Sequence, residues 1–161
     1  MGWIVKPAAP LAIWLGTLSK SAGAYGGYVC GSQALIDYLI TSARSFVFST
    51  GLPPSVCASA FAALEVMEAE PERGQRALAL AKRVTESLGL PLAQSAIVPI
   101  ILGEAATALA ASEKLKQKGI LAMAIRPPTV PPNTARLRLA FSCEHSDEQV
   151  NSLIKALKEI L

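Results

Sequence analysis

Charged residues are scarce in this chain, and those present follow no pattern that would suit a nucleic acid. Asp, Glu, Lys and Arg together make up 17% of the 161 residues, and the net charge is only +3. The basic residues are scattered, without the stripe or aromatic platform of a nucleic-acid surface. Hydrophobic residues reach 52%, which indicates a folded chain rather than a disordered one.

Long apolar runs and clusters of metal ligands are also missing. No apolar run approaches the roughly 18 residues that a membrane span needs, and the N-terminus lacks the basic region of a signal peptide. Cys30, Cys57 and Cys143 are odd in number and widely spaced. They indicate buried thiols in a reducing cytosol, not a disulfide framework or a metal site. We therefore expect a cytoplasmic protein without a metal, in which the single His145 lies in a surface loop.

The stretch with the clearest chemical character is GTLSKSAGAYGG, residues 16–27, which follows a short apolar run. Lysine is costly to bury, so Lys20 beside a predicted buried strand needs a reason. A lysine in a dry pocket loses its proton more readily and becomes the nucleophilic amine that a Schiff base requires. A Walker P-loop does not fit, because its glycines precede the lysine, and an S-x-x-K site would need Ser where Thr17 stands. A solvated lysine in a plain turn is the remaining alternative.

The first lobe, residues 1–70, is predicted to be an incomplete α/β layer that begins with an irregular segment over 1–10. Its predicted strands are short: residues 12–15, 26–31 and the β-like 46–48. Its predicted helices cover 33–43, after an N-cap at Ser32, and a longer run that begins at the prolines 53–54. The pattern breaks at Pro71, where we place the boundary between lobes.

The second lobe, residues 71–161, is predicted to be a small α+β layer with the order helix, strand, helix, strand, strand, helix. The predicted elements cover residues 71–88, 96–102, 104–118, 120–125, 136–141 and the C-terminal helix. Ser146 and Gln149 form a capping-box signature for that helix. An extended loop rich in proline separates the last two strands.

Two arginines lie near the proline loop. Arg126 ends a predicted strand, and strand ends are where open α/β sheets meet ligands. Arg138 projects from the face opposite Leu137 and Leu139. A guanidinium offers a bidentate fork to a carboxylate, although solvated arginines at a sheet edge would give the same pattern.

Both stretches resemble one family, the α-oxoamine synthases, which are pyridoxal-phosphate enzymes of the aspartate-aminotransferase fold (fold type I). Their lysine segment is roughly G-T-x-x-K followed by G-x-x-G-G, as in residues 16–27. Residues 124–139, AIRPPTVPPNTARLRL, are similar to the C-terminal motif of the branch that acts in biotin synthesis. The resemblance runs from about Ile13 to the C-terminus, and it implies the C-terminal part of the large α/β lobe followed by the small α+β lobe.

The resemblance also implies site residues. Lys20 matches the lysine that binds pyridoxal phosphate covalently, and Thr17 matches a hydroxyl that binds the cofactor phosphate. Ser49 and Thr50 lie where related synthases reach the phosphate of the partner subunit, which implies a homodimer.

The substrates implied are L-alanine and a pimeloyl thioester of coenzyme A or a carrier protein, condensed with decarboxylation to 8-amino-7-oxononanoate. Thr129 matches a threonine that contacts substrate, and Arg138 matches the arginine that binds the amino-acid carboxylate. Arg126 is a candidate for the far carboxylate of the pimeloyl chain. Another synthase of the family, using glycine or serine, is the rival within the class.

One departure from the family concerns residues upstream of Lys20. The family's subunit is more than twice as long, and its N-terminal part supplies an Asp for the pyridine nitrogen and a His that stacks on the ring. The nineteen residues before Lys20 contain neither. We therefore expect the C-terminal portion of such an enzyme, from a truncated or split reading frame or a fragment, without activity alone. A non-catalytic remnant that pairs with a full-length subunit is the second alternative.

Overall fold

The computed structural model describes residues 13–161, which fall into two compact units. The first unit ends at Pro71, and the second is Glu72–Leu161. The segment predicted to be irregular, residues 1–10, lies outside the described residues.

A β-hairpin around the lysine loop opens the first unit. Strand β1 (Trp14–Thr17) pairs in antiparallel register with β2 (Gly27–Cys30). A Cβ at Gly16 would lie 2.5 Å from the hydroxyl oxygen of Tyr28, so any larger residue here would force that ring to shift. The prediction that β1 is buried is wrong: Leu15 is 80% exposed, because among the described residues only β2 pairs with this strand.

Three helices follow the hairpin: α1 (Gln33–Ser42), α2 (Arg44–Val47) and α3 (Pro54–Ala69). The predicted N-cap is confirmed, since the Ser32 hydroxyl accepts a hydrogen bond from the Leu35 amide at 3.3 Å. The β-like interpretation of residues 46–48 is wrong. The Val47 amide donates to the Ala43 carbonyl at 2.9 Å, so helical bonds satisfy a backbone for which the described residues offer no pairing strand.

The helices of the first unit leave much apolar surface exposed. Phe46, Phe48 and Phe61 are 63%, 79% and 64% exposed, and Ala60 is the buried residue of α3. The expected burial of the cysteines is also wrong for this unit, because Cys30 and Cys57 are exposed. The described part of the unit therefore encloses little core of its own.

The second unit is an antiparallel sheet with helices. Its strands are β3 (Ile97–Gly103), β4 (Met123–Ile125) and β5 (Ala135–Ala140), in the order β3-β5-β4. Its helices are α4 (Glu72–Ser87), α5 (Ala105–Gln117) and α6 (Asp147–Ile160). The predicted order of elements is confirmed. The strand predicted over 120–125 begins only at Met123, because the Ile120 amide closes the end of α5 by donating to the Leu115 carbonyl at 2.9 Å.

The core of the second unit lies on one face of β5. Leu137 is fully buried and Leu139 is 5% exposed, so the predicted alternation along this strand is confirmed. They belong to one cluster with side chains of the three helices, among them Val84, Leu115 and Leu157. This packing positions β5 at the centre of the unit, with its opposite face open.

The last helix begins as predicted. The Ser146 hydroxyl accepts from the Gln149 amide at 3.2 Å, and the Gln149 side chain accepts from the Ser146 amide at 2.9 Å. Just before it, Cys143 is half-buried, and Nδ1 of the half-buried His145 accepts from the Ser142 amide at 3.0 Å.

Within residues 13–161, no helix is long and apolar enough to cross a membrane, and no group of His, Cys, Asp or Glu could hold a metal ion.

Candidate functional site

Lys20 lies in the loop that joins β1 to β2. Backbone bonds close this loop from the Leu18 amide to the Gly26 carbonyl at 2.9 Å and from the Ala24 amide to the Leu18 carbonyl at 3.0 Å, and the Gly23 amide donates to the carbonyl of Lys20 at 3.0 Å. Gly26 has a φ of 111°, a conformation that side-chain-bearing residues rarely adopt. Lys20 itself is exposed. The dry pocket that the sequence suggested for it is therefore not formed by the described residues.

A pair of hydroxyls lies beside the lysine. The Thr17 and Ser19 hydroxyl oxygens are 2.8 Å apart, and Thr17 Oγ1 also accepts from the Ser19 amide at 3.3 Å. The Thr17 hydroxyl donates to the Gly26 carbonyl at 3.2 Å. Thr17 is exposed, so its proton can turn to an external acceptor. The loop thus offers a primary amine and hydroxyl donors on one short segment, and residues 16–27 contain no acidic side chain.

The predicted pair Ser49 and Thr50 lies after α2 in the same unit, and both residues are exposed. The Ser49 hydroxyl donates to the Ser45 carbonyl at 2.5 Å. A Cβ at Gly26 would lie 3.0 Å from Leu52 Cδ1. The chain just after Thr50 therefore packs against the glycine that closes the lysine loop.

In the second unit, Arg126 and Thr129 lie on the loop between β4 and β5. Both side chains are exposed, and the Thr129 amide donates to the Arg126 carbonyl at 3.1 Å. The peptide between Pro127 and Pro128 is cis. This turn places Thr129 next to the end of β4, from which Arg126 projects.

Arg138 lies in the middle of β5, on the face opposite the core. It stands between Pro99 of β3 and Met123 of β4 in the ladder. Arg138 is exposed, and no acidic side chain in the described part of the unit forms an ion pair with it. A guanidinium with free donors on an open sheet face can bind a carboxylate in the bidentate manner.

The predicted site residues therefore fall into two groups. Lys20, Thr17, Ser49 and Thr50 belong to the first unit, and the other three belong to the second: Arg126, Thr129 and Arg138. Each group is defined within its own unit.

Sequence reasoning missed Arg136, which lies two residues before Arg138 on the same face of β5. Arg136 is half-buried, and its Nε donates to the Thr134 carbonyl at 2.9 Å. The alternation of β5 places it on the face opposite the core, but its bond to the proline loop has no signature in the sequence.

A separate cavity of about 450 Å³ lies beside α6. Its lining includes Leu139, Phe141, His145 and Leu153, and none of the predicted site residues. The open face of β5 with Arg138, and not this cavity, is the candidate for carboxylate binding in the second unit.

A family model and curated relatives both match nearly the whole of this chain. The model of the family "Aminotransferase class I and II" matches residues 4–157. An 8-amino-7-oxononanoate synthase from Methylobacterium nodulans is 57% identical over 157 residues, which are 98% of this chain and 41% of the relative. The corresponding synthase from Methylorubrum extorquens (strain PA1) is 54% identical, with the same coverage of 98% and 41%. The chain thus spans about 41% of the length of these curated relatives.

Solved structures agree with the sequence matches. Serine palmitoyltransferase from Sphingomonas wittichii superposes with a TM-score of 0.84 at 30% identity, covering 92% of this chain and 39% of that one. A structure described as SPT with a PLP internal aldimine has a TM-score of 0.85 at 26% identity, with the same coverage of 92% and 39%. The 8-amino-7-oxononanoate synthase from Francisella tularensis has a TM-score of 0.74 at 28% identity, covering 92% of this chain and 44% of that one.

Proposed function

Because the chain belongs to the aminotransferase class I and II family, we propose that it is the C-terminal part of a pyridoxal-phosphate-dependent acyltransferase of biotin synthesis. The complete enzyme condenses L-alanine with a pimeloyl thioester, with loss of carbon dioxide, to give 8-amino-7-oxononanoate. The observation that carries this proposal is the lysine loop between β1 and β2, with its amine and hydroxyl donors, in a chain 57% identical to a synthase of that name.

The lysine loop fits pyridoxal phosphate by the chemistry of its donors. A phosphate needs hydrogen-bond donors and no nearby carboxylate, and residues 16–27 offer hydroxyls without an acid. The aldehyde of the cofactor needs a primary amine, which Lys20 supplies. When bound, the cofactor supplies an electron sink for negative charge at the α-carbon of the amino acid.

In this proposal the residues of the first unit hold the cofactor and move one proton. Lys20 Nζ would hold the cofactor covalently, and its amine, when free, would accept the α-proton of alanine. The Thr17 hydroxyl donates to the cofactor phosphate. Thr50 donates to the phosphate bound by the partner subunit, and Ser49 does so once its hydroxyl turns away from the Ser45 carbonyl, so the complete enzyme is proposed to be a homodimer.

The residues of the second unit bind the substrates. Arg138 binds the carboxylate of alanine through its guanidinium fork and thereby orients the bonds at the α-carbon. Thr129 contacts substrate from the proline loop. Arg126 binds the far carboxylate of the pimeloyl chain, because it projects from the end of β4 beside that loop.

The choice of alanine over serine rests on the relative similarity of the two branches. Identity reaches 57% with an 8-amino-7-oxononanoate synthase and 30% with a serine palmitoyltransferase. The Arg126-Pro127-Pro128 sequence also favours the biotin branch. A synthase that uses glycine or serine is the alternative, supported by the TM-score of 0.84 with serine palmitoyltransferase.

We further propose that the enzyme acts in the cytoplasm and that the 161-residue chain alone has no significant activity. The exposed aromatic residues of α2 and α3 support the second point, because a complete large lobe would cover such a surface.

The test is substrate profiling of a complete form that carries this chain as its C-terminal region. Alanine, glycine and serine are each offered with pimeloyl and palmitoyl thioesters, and thiol release and product mass are measured. Alanine with the pimeloyl thioester should exceed glycine by roughly 10-fold or more, the usual effect of one methyl group on specificity. Faster turnover of serine with the palmitoyl thioester would contradict the proposal. An Arg83→Met variant serves as the control, because the partners of Arg83 among residues 13–161 are Asp147 and Asn151 on the surface of α6, away from the proposed site residues.

A further inference from the structure

Few backbone hydrogen bonds stabilise the conformation of the loop between β4 and β5. Proline occupies positions 127, 128, 131 and 132, and proline has no amide hydrogen to donate. The two backbone bonds in this loop are local turns, from the Thr129 amide to the Arg126 carbonyl at 3.1 Å and from the Thr134 amide to the Pro131 carbonyl at 3.3 Å. Neither bond connects the loop to the sheet.

Arg136 bonds back to the end of the loop that leads into its own strand. Its Nε donates to the Thr134 carbonyl at 2.9 Å, and the Thr134 hydroxyl donates in turn to the Pro131 carbonyl at 2.7 Å. Arg136 is fixed at its base, because it pairs with Ile101 of β3 and Ile125 of β4 in the ladder. The strand therefore bonds to Thr134, the residue that immediately precedes it, and the Thr134 hydroxyl extends this support by one further bond to Pro131 within the loop.

The hydrogen bond from Arg136 to the Thr134 carbonyl has the chemistry of a stable interaction. A guanidinium stays protonated at every physiological pH, and hydrogen bonds from a charged donor are stronger than those between neutral groups. Arg136 is half-buried, which shields the bond from water. Arg138, two residues on, makes no such bond within the described unit and is exposed. Of the two arginines on this face, Arg136 therefore bonds to the loop, whereas Arg138 keeps its guanidinium exposed.

We propose that Arg136 is a positioning residue: it holds the proline loop so that Thr129 and Arg126 meet the substrate in one geometry. The assignment of those two residues to substrate rests on the proposed function, whereas the support of the loop does not. Arg136 does not touch the reacting atoms in this proposal. It acts through Thr134 and Pro131 on the part of the loop that does.

The first test measures amide hydrogen exchange by NMR in the 161-residue chain. Arg136→Met keeps the aliphatic stem and removes the donor, Arg136→Lys keeps a charged donor, and Arg83→Met is the matched control. Loss of a hydrogen bond from a charged donor should speed exchange at the Thr129 and Thr134 amides by about tenfold in the Met variant. The Lys variant should recover part of the protection, and the control should leave it unchanged.

Two results of this test would overturn the proposal. Unchanged exchange at Thr129 and Thr134 in Arg136→Met would show that the loop does not depend on Arg136. An equal acceleration at the Leu137 and Leu139 amides would show a general loosening of the sheet instead of a local effect on the loop. If the Met variant does not fold, the comparison of Arg136→Lys with Thr134→Val, which removes the second bond, decides in the same way.

The second test uses the complete form that carries this chain. Arg136→Met should raise the KM for the pimeloyl thioester by about tenfold and leave kcat within about twofold, because a displaced loop weakens binding more than chemistry. Arg136→Lys should recover part of the loss, and an unchanged KM in the Met variant would refute the link to substrate. If the unmodified form does not convert alanine and the pimeloyl thioester, the proposed function fails, while the exchange test still decides whether Arg136 supports the loop.

Discussion

Replacing Leu137 by alanine should destabilise the second unit far more than replacing its neighbour Arg138. Leu137 is fully buried at the centre of the sheet, and truncation of such a leucine costs about 2–5 kcal/mol through lost burial and a residual cavity. Arg138 is exposed on the opposite face, and surface substitutions usually change stability by less than about 0.5 kcal/mol. Because a domain of this size has a total unfolding free energy of about 5–10 kcal/mol, Leu137→Ala removes a large share of it.

The assay is urea denaturation of the 161-residue chain, followed by far-UV circular dichroism. Leu137→Ala should lower the urea midpoint without changing the slope m, and should lower Tm by roughly 10 °C or more. Arg138→Ala should leave both values near those of the unmodified chain, because the Arg138 side chain is exposed and lies outside the core. Equal losses for the two variants would refute the assignment of one face of β5 to the core and the other to substrate.

Three further predictions concern the dimer, the surface charges and the isolated chain. A mixture of Lys20→Ala and Thr50→Ala subunits, each in the complete form, should recover more activity than either variant alone, and a mixture no better than its parents would exclude the shared site. The hydrogen bond from Lys118, at 2.6 Å, together with the Lys118 charge, lowers the pKa of Glu159 below its ordinary 4.5. Glu159→Gln should therefore be less stable than the unmodified chain above pH 4.5, and the two should converge as the pH falls through the lowered pKa. The 161-residue chain supplied with pyridoxal phosphate, alanine and a pimeloyl thioester should release no significant thiol, and turnover near that of a full-length relative would show that its residues suffice.

The second unit could be predicted well because its signals are local. Alternation along β5 identified Leu137 and Leu139 as core residues, and the spacing of Ser146 and Gln149 identified the start of α6. Such patterns depend on residues within a few positions of each other, so a single sequence carries them.

The first unit shows where local signals fail. The exposure of Leu15 and the helical conformation of Phe46 depend on which other elements pack against them, and the described residues supply few. For the same reason the cysteines predicted to be buried, Cys30 and Cys57, lie exposed. Propensity and hydrophobicity describe what a segment prefers, not which neighbours it finds.

In the candidate site, too, the sequence predicted some features and gave no signal for others. The G-T-x-x-K and G-x-x-G-G pattern identified the segment around Lys20, and this segment forms a loop with Gly26 at a positive φ. The contact between the Thr17 and Ser19 hydroxyls and the bond from Arg136 to Thr134 depend on side-chain geometry. The sequence carries no signal for either, because no spacing rule distinguishes a supporting arginine from one that binds a ligand.

The most direct test of the proposed function is to identify the lysine that binds the cofactor. A complete form carrying this chain is loaded with pyridoxal phosphate, reduced with borohydride, digested, and mapped by mass spectrometry. The label should lie on Lys20, in the loop between β1 and β2, and Lys20→Ala should abolish it while Lys82→Ala leaves it in place. A label on Lys82 of α4, or a labelled Lys20→Ala protein, would contradict the assignment of this chain's lysine loop to the cofactor.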